Sequence, residues 1–221
     1  MEMRGPGPAP VRQEADALGT LGVPFDALYG VQTARALENF PISDIPVGQF
    51  PALVRALSLI KIAAARANLR LGCLTRDKAE VIEKVCAEIL SGQHMQHFPV
   101  DVFQGGAGTS TNMNLNEVIA NRGLELMGHP CGDYDRLHPN DDVNRSQSTN
   151  DVYPTAIRMA LMGDIPELMA RLRTLALAFE AKGEEFAGIP KLGRTEMQDA
   201  VPMTLGAELR AYGVTIREDV E

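Results

Sequence analysis

Apolar side chains recur at helical spacing through most of this 221-residue chain, and this periodicity limits the fold more than any other feature. The spacing is three and four residues between positions 53 and 67, and again between positions 79 and 89. Pro51 suits the first turn of the first helix and Gly72 its end, and Thr75 can cap the second. The predicted buried stripes are Leu53, Ala56, Leu57, Ile60, Ala63, Ala64 and Ala67, followed by Ala79, Val81, Ile82, Val85, Cys86 and Ile89.

The same periodicity predicts a mainly α-helical fold in two parts. Further helices are expected over about 113–127, over about 153–186 with a kink at 163–166, and from about 203 onward. Residues 1–17, rich in Gly and Pro, are expected to be a flexible tail, and residues 18–150 an N-terminal helical domain. Residues 151–221 are expected to begin a long helical bundle that is truncated, because the apolar period is still running at Glu221.

Charge and composition exclude several classes of protein. The formal net charge is −8 and no basic run stands out, which argues against nucleic-acid binding or attachment to an anionic membrane. No segment approaches the roughly 18 apolar residues of a membrane span, and no secretory signal precedes residue 17. Cys73, Cys86 and Cys131 have no metal-ligand spacing, so free thiols in a reducing cytoplasm are predicted.

Three connections carry the unusual chemistry. We name residues 105–114 the glycine loop, residues 138–151 the polar connection, and residues 193–202 the arginine turn. The glycine loop combines small residues with hydroxyls and amides ahead of a helix, where free N–H groups favour an anion. Each connection, taken alone, is also explained by turn and capping chemistry. A metal site at His138, Asp141 and Asp142 is not predicted, because their spacing matches no common site.

Taken together, the three connections indicate a pocket for a small, oxygen-rich anion. Hydroxyl and amide donors around a carboxylate are suited to stabilising negative charge that grows during a reaction. No Ser–His–Asp order or Cys–His pair indicates acyl transfer.

Long strings in this chain resemble the aspartase/fumarase superfamily. GGAGTSTNMNLNEVIANRGLELMG and HPNDDVNRSQSTNDVYPTA are similar to its first two signature regions, and GRTEMQDAVPMTLGAE to its later substrate-binding turn. LGVPFDALYGVQTARALENFPIS is similar to its N-terminal segment, so the resemblance covers nearly all of residues 12–221. FPVDVFQGGAGTS and ELMGHPCGDY are closer to the aspartate ammonia-lyase branch than to class II fumarases, which remain the alternative.

The resemblance implies a helical fold, a homotetramer with active sites shared between subunits, and no organic cofactor. It also implies reversible anti elimination of ammonia from L-aspartate, giving fumarate through an aci-carboxylate intermediate. A different class of protein, one that binds a dicarboxylate or assembles without catalysis, is the third hypothesis.

The resemblance also implies roles for individual residues. Thr109, Ser148 and Thr149 would hold the reacting carboxylate, and Asn150 and Thr195 would contact the amino group. Ser110 and Asn112 would line the pocket. His138, Pro139, Asn140 and Asp141 would form a second dicarboxylate site.

Two departures from the family pattern stand out. Glu196 follows Gly-Arg-Thr where several members carry His, and an acid there can face a substrate ammonium. The Gly-Ser-Ser loop that supplies the family's general-base Ser occurs nowhere in residues 1–221, so no catalytic base is assigned. We expect this chain alone to be an inactive N-terminal part of a longer enzyme.

Overall fold

The computed structural model describes residues 10–221, and over these residues the chain is mainly helical, which confirms the predicted fold class. The chain separates into two compact units, one ending at Leu161 and one spanning Met162–Glu221. In chain order the elements are β1 (Val11–Asp16), β2 (Gly19–Pro24), α1 (Val31–Asn39), α2 (Pro51–Arg70), α3 (Arg76–Leu90), α4 (Thr109–Leu126), α5 (Thr149–Glu185), β3 (Pro190–Thr195), β4 (Gln198–Thr204) and α6 (Leu205–Glu218).

The first unit is organised around α4. Helix α2 packs on α3, and α1 and α3 pack on α4. Every residue from 111 to 121 is buried, so α4 has no solvent-facing side along this stretch. Its apolar side chains join the core, which includes Leu57, Ile82, Ile89, Leu115, Ile119 and Leu124.

The polar side chains of α4 bind the backbone of the irregular segments around it. The Glu117 carboxylate accepts hydrogen bonds from the N–H groups of Gly30 (2.9 Å), Gln32 (2.8 Å) and Thr33 (3.0 Å). Burial raises the pKa of the Glu117 carboxyl, and these donors oppose that shift. A carboxylate at this position satisfies N–H groups that the start of α1 cannot pair within the helix.

Asparagines of α4 repeat this pattern at other segments. Asn121 donates to the carbonyl of Leu28 (2.8 Å) and accepts from the N–H of Gly132 (2.8 Å). Asn114 donates to the carbonyl of His97 (2.9 Å). The connections before α1, before α4 and after α4 are therefore all tied to this helix.

Two sequence predictions about the first unit are wrong. The predicted tail of residues 1–17 contains β1, which pairs antiparallel with β2 from Val11↔Pro24 to Asp16↔Gly19; residues 1–9 lie outside the described part. The predicted buried face of α2 is rotated, because Ala63 and Ala67 are exposed while Ser58, Lys61 and Asn68 are buried. Lys61 and Asn68 face inward, where they donate to acceptors in residues 144–147, whereas Ser58 donates to the carbonyl of Val54 in its own helix.

The helix α5 also differs from its prediction. It runs without interruption through residues 163–166, where a break with a kink was expected. It begins at Thr149, so the predicted domain boundary at residue 150 falls within its first turn, while the two units divide further along the same helix. None of the helices within residues 10–221 combines the length and apolar character needed to cross a membrane.

The second unit contains the later part of α5, a hairpin and α6. The hairpin of β3 and β4 replaces the irregular loop expected before the last helix. Close packing in this unit depends on Gly206, because an added Cβ would lie 2.2 Å from the carbonyl oxygen of Gly183 and 2.7 Å from the backbone of Ala187.

We predict that Glu117→Ala lowers the free energy of unfolding by about 3 kcal/mol or more, because three N–H groups lose their acceptor and each unsatisfied donor costs about 1–3 kcal/mol. Urea denaturation followed by circular dichroism measures this change. Glu125→Ala is the matched control, since Glu125 lies near the other end of α4 and its side chain is 42% exposed. We expect the control to cost less than about 1 kcal/mol. Equal losses in the two variants would contradict the assigned role of Glu117.

Candidate active site

The glycine loop overlaps the start of α4, which begins at Thr109, four residues before the predicted start at Met113. Gly108 has φ of +89°, and a Cβ at this position would lie 2.3 Å from the ring of Tyr153. Only glycine suits both the left-handed backbone and the ring packed against it. The loop is therefore fixed against the first turns of α5.

Two side chains ahead of the loop hold its entry. Gln104 accepts a hydrogen bond from the N–H of Thr111 (2.8 Å) and donates to its Oγ1 (2.7 Å). Asp101 accepts from the N–H groups of Phe103 (2.7 Å) and Ser43 (2.6 Å). Burial alone would raise the pKa of Asp101, but the hydrogen bonds from Ser43, Phe103 and Asp44 lower it to about 2.

The polar connection begins with a π-helical turn at Pro139–Val143. The imidazole Nδ1 of His138 accepts from the N–H groups of Asn140 and Asp141, both at 3.0 Å. A neutral His138 therefore carries its proton on Nε2. The Asp142 carboxylate accepts from Lys78 Nζ (2.6 Å) and from the N–H of His138 (2.8 Å). The side chains of His138 and Asp142 therefore both stabilise this turn.

Two hydrogen bonds join the glycine loop to the polar connection. The Asn112 Nδ2 donates to Thr149 Oγ1 at 3.0 Å and to Asn144 Oδ1 at 3.1 Å. Because Thr149 Oγ1 accepts from Asn112, its own hydroxyl hydrogen is left to donate elsewhere. Asn112 itself is 0% exposed and orients Thr149, while its place in the wall of a substrate pocket stays a prediction.

A lysine lies beneath this junction. Lys61 of α2 is 0% exposed, and its Nζ donates to Asn144 Oδ1 (2.9 Å) and Gln147 Oε1 (3.0 Å). Burial lowers the pKa of Lys61 to about 7. Asn68, two turns further along the same face of α2, donates to the carbonyl of Arg145 (2.9 Å).

The remaining predicted residues of the first unit lie nearer the surface. Thr109, Ser148 and Asn150 are exposed and Ser110 is half-buried. The hydroxyl of Thr109 donates to the carbonyl of Gly106 (2.6 Å). Ser148 lines an open polar cavity of about 580 Å³ together with Asn140 and Asp141, which places Ser148 beside two residues of the predicted second site.

The arginine turn belongs to the second unit and is described within it alone. Thr195 pairs with Gln198, so Glu196 and Met197 form the two-residue tip of the β3–β4 hairpin. Both tip residues have positive φ, 43° and 63°, a left-handed conformation that non-glycine residues adopt at a cost. Thr195 and Glu196 are exposed.

Lys61 and Gln104 were missed by the sequence analysis. Lys61 had one detectable signal, because a lysine four residues after Leu57 and four before Ala65 sits on an otherwise apolar helix face. Gln104 gave no signal, because its role depends on the path of the glycine loop.

Comparison with known proteins identifies related sequences. A family model described as "Lyase" matches residues 19–221. Aspartate ammonia-lyase of Pseudomonas aeruginosa is 56% identical over 210 residues, which are 95% of this chain and 44% of the relative. Aspartate ammonia-lyase of Escherichia coli strain K12 is 51% identical over 212 residues, which are 96% of this chain and 44% of the relative.

Solved structures give the same picture. The "fumarate lyase:delta crystallin" from Brucella melitensis matches with a TM-score of 0.86 and 56% identity over 95% of this chain and 47% of that one. Class II fumarase from Schistosoma mansoni matches with a TM-score of 0.80 and 38% identity over 96% of this chain and 44% of that one. The chain thus spans less than half the length of these relatives.

We predict that Asp101→Asn destabilises the protein above about pH 4 and that this difference shrinks as the pH falls toward 2. The folded pKa of Asp101, about 2, lies below the reference value of 3.8, so its contribution is present above the reference value and lost on acidification. Urea midpoints of both proteins between pH 6 and pH 2 measure the difference. Asp135→Asn, at an exposed position, controls for the lost charge. A wild-type advantage that persists unchanged at pH 2 would refute the assignment.

Proposed function

The chain belongs to the lyase family that it matches over residues 19–221, and from this premise we propose that the whole protein is an aspartate ammonia-lyase. The observation that carries the proposal is the 51–56% identity to aspartate ammonia-lyases over 210–212 residues, which are 95–96% of this chain. The proposed reaction is reversible anti elimination of ammonia from L-aspartate, with fumarate as the other product.

The proposed chemistry places the greatest demand on carboxylate binding. A base removes a proton from Cβ, and the electron pair moves onto the neighbouring carboxylate to give an aci-carboxylate dianion. That electron pair then forms the carbon–carbon double bond as the C–N bond breaks and ammonia leaves. Donors that are fixed before the reaction favour the dianion over the ground state, which lowers the barrier. The reaction needs no organic cofactor.

Thr149 is the donor best prepared for this task. Its oxygen already accepts from Asn112, so its hydrogen is free to donate to a carboxylate oxygen. Ser148 precedes it with an exposed hydroxyl, and Thr109 and Ser110 lie at the start of α4. We assign Thr109, Ser148 and Thr149 to the reacting carboxylate, and Ser110 to the wall of the pocket.

The ammonium end of the substrate requires acceptors. From the family resemblance we assign Asn150 and Thr195 to the amino group, and Glu196, which follows Thr195 in the chain, as a negative charge that favours a cation. The cavity shared by Ser148, Asn140 and Asp141 supports a second dicarboxylate-binding position at residues 138–141.

Class II fumarase is the second candidate. It is supported by the match to the Schistosoma mansoni enzyme, at 38% identity. The aspartate ammonia-lyase relatives are more similar, and Glu196 suits an ammonium better than it suits a second carboxylate. We therefore place fumarate hydration second.

We further propose a homotetramer with active sites shared between subunits, acting in the cytoplasm. The free thiols of Cys73, Cys86 and Cys131 fit a reducing compartment. Size-exclusion chromatography with light scattering on the product of the complete reading frame tests the assembly.

The substrate is tested by ultraviolet absorbance of fumarate, using protein expressed from the complete reading frame. One cuvette contains L-aspartate and the other contains L-malate. We expect the fumarate band to grow with aspartate alone. Growth with malate alone would replace the proposal by the fumarase reaction, and no growth in either cuvette would reject both.

We predict that Thr149→Val lowers kcat for aspartate by about 100-fold, as expected for loss of one donor to a developing oxyanion. Valine keeps the shape of threonine and removes the hydroxyl, whereas Thr149→Ser keeps the hydroxyl and should retain most of the activity. Thr75→Val, at the exposed start of α3, is the matched control and should leave kcat unchanged. Normal kcat in Thr149→Val would remove Thr149 from the stabilisation of the intermediate.

A further inference from the structure

The buried face of α2 contains a polar stripe where an apolar one is expected. Ser58, Lys61 and Asn68 are at most 4% exposed, and Lys61 and Asn68 both point their donors at the polar connection. The two hydrogen bonds that the structure gives to the Lys61 Nζ go to neutral amide oxygens. An amine at this depth is costly, because burial disfavours its charged form.

The two acceptors bracket the segment that leads into Ser148 and Thr149. Asn144 Oδ1 lies 2.9 Å and Gln147 Oε1 lies 3.0 Å from Lys61 Nζ. Gln147 also donates through Nε2 to the carbonyl of Val143 (2.9 Å), and Asn144 donates through Nδ2 to the carbonyl of Gln147 (3.2 Å). Lys61 therefore holds both ends of the last turn before Ser148.

The same contacts continue to the hydroxyl assigned to the substrate. The Asn144 oxygen accepts from Lys61 and from Asn112 Nδ2, and that nitrogen also donates to Thr149 Oγ1. With its oxygen occupied by Lys61, Asn144 is oriented with this acceptor toward Asn112. Asn112 is thereby placed as a donor to Thr149, which leaves the Thr149 hydrogen free.

We propose that Lys61 is a positioning residue, which fixes Asn144 and Gln147 from inside α2 and so holds Ser148 and Thr149 in the orientation that binds the reacting carboxylate. That Ser148 and Thr149 bind the reacting carboxylate of the substrate rests on the proposed function. The fixing of residues 144–149 rests on the hydrogen bonds of the first unit alone. Both an ammonium and a neutral amine have at least two N–H donors, so Lys61 satisfies both acceptors in either form.

The experiment compares Lys61→Met with Lys84→Met in protein from the complete reading frame. Methionine keeps the length and flexibility of lysine and removes its donors. Lys84 is exposed on α3, so the same substitution there controls for the lost charge. Two quantities are measured: steady-state kinetics with aspartate, and amide hydrogen exchange by mass spectrometry, resolved to residues 144–152 and to α3.

We expect Lys61→Met to lower kcat by about tenfold or more while KM changes less, because misplaced donors affect the transition state most. Exchange should rise in residues 144–152, where the N–H groups of Gln147, Asp151 and Val152 are bonded within the segment, and stay unchanged in α3. Lys84→Met should match wild type in both measurements.

Several outcomes would overturn the proposal. Wild-type kcat and wild-type exchange at residues 144–152 in Lys61→Met would refute it, and a uniform rise of exchange that includes α3 would reduce Lys61 to a general stabilising residue. If Lys61→Met does not accumulate as folded protein, Gln147→Met removes one acceptor from the loop side and must give the same local rise in exchange. If wild type forms no fumarate from aspartate, the proposed function fails, and exchange alone decides whether Lys61 fixes the loop.

Discussion

The burial of α4 is the constraint on which the first unit depends. A helix enclosed on all sides is usually apolar, yet this one carries Asn112, Asn114, Asn116, Glu117 and Asn121 at 1% exposure or less. Four of these five bind backbone or side-chain groups in the connections around α4 and at the helix starts that adjoin them, at residues 28–33, 97, 132 and 144–149. Irregular backbone can be buried only where its polar groups find partners, because an unpaired group costs about 1–3 kcal/mol. The polar side chains of α4 thus supply hydrogen-bond partners that water would otherwise provide to the surrounding connections.

The candidate site is a consequence of the same arrangement. The first turn of α4 supplies Asn112, which sets the direction of the Thr149 hydroxyl, and the glycine before it makes room for Tyr153 of α5. Lys61 reaches the same junction from α2. Three helices that are distant in sequence therefore meet at one pair of hydrogen-bonded amides, Asn112 and Asn144. Fixed neutral donors of this kind suit a charge that appears only during a reaction, because they need no reorganisation when it forms.

The helices of the fold were predictable and much of their surroundings was not. The predicted limits of α2 and α3, with Pro51 in the first turn and Thr75 at the N-cap position, agree with the structure, although the Thr75 side chain makes no capping hydrogen bond. The start of α4 was placed too late, because the residues from Thr109 to Asn112 are typical of a loop in sequence. In the structure the Gln104 side chain accepts from the N–H of Thr111 and so caps this first turn from outside the helix. The strands of both hairpins lack an alternating apolar pattern in the sequence. In the structure β1, β2 and β3 each bury a single residue. Lys61 was overlooked because the buried face of α2 was predicted from apolar residues alone. The orientation of α2 in the structure also depends on the acceptors that Lys61 and Asn68 bind.

The two threonines proposed to bind the reacting carboxylate, Thr109 and Thr149, differ in how much they can contribute to that binding. Thr109 donates its hydroxyl hydrogen to the Gly106 carbonyl at 2.6 Å, so it must give up that bond before it can bind a carboxylate. Its gain is then only the difference between two hydrogen bonds. Thr149 accepts from Asn112, and among residues 10–221 the structure gives its hydrogen no acceptor, so it gains a charge-assisted bond without losing one within the protein. Under the proposed function, we therefore expect Thr149 to contribute more to carboxylate stabilisation than Thr109. The contacts that orient Thr149, through Asn112 to Asn144 and Lys61, then matter more to catalysis than the hydroxyl of Thr109.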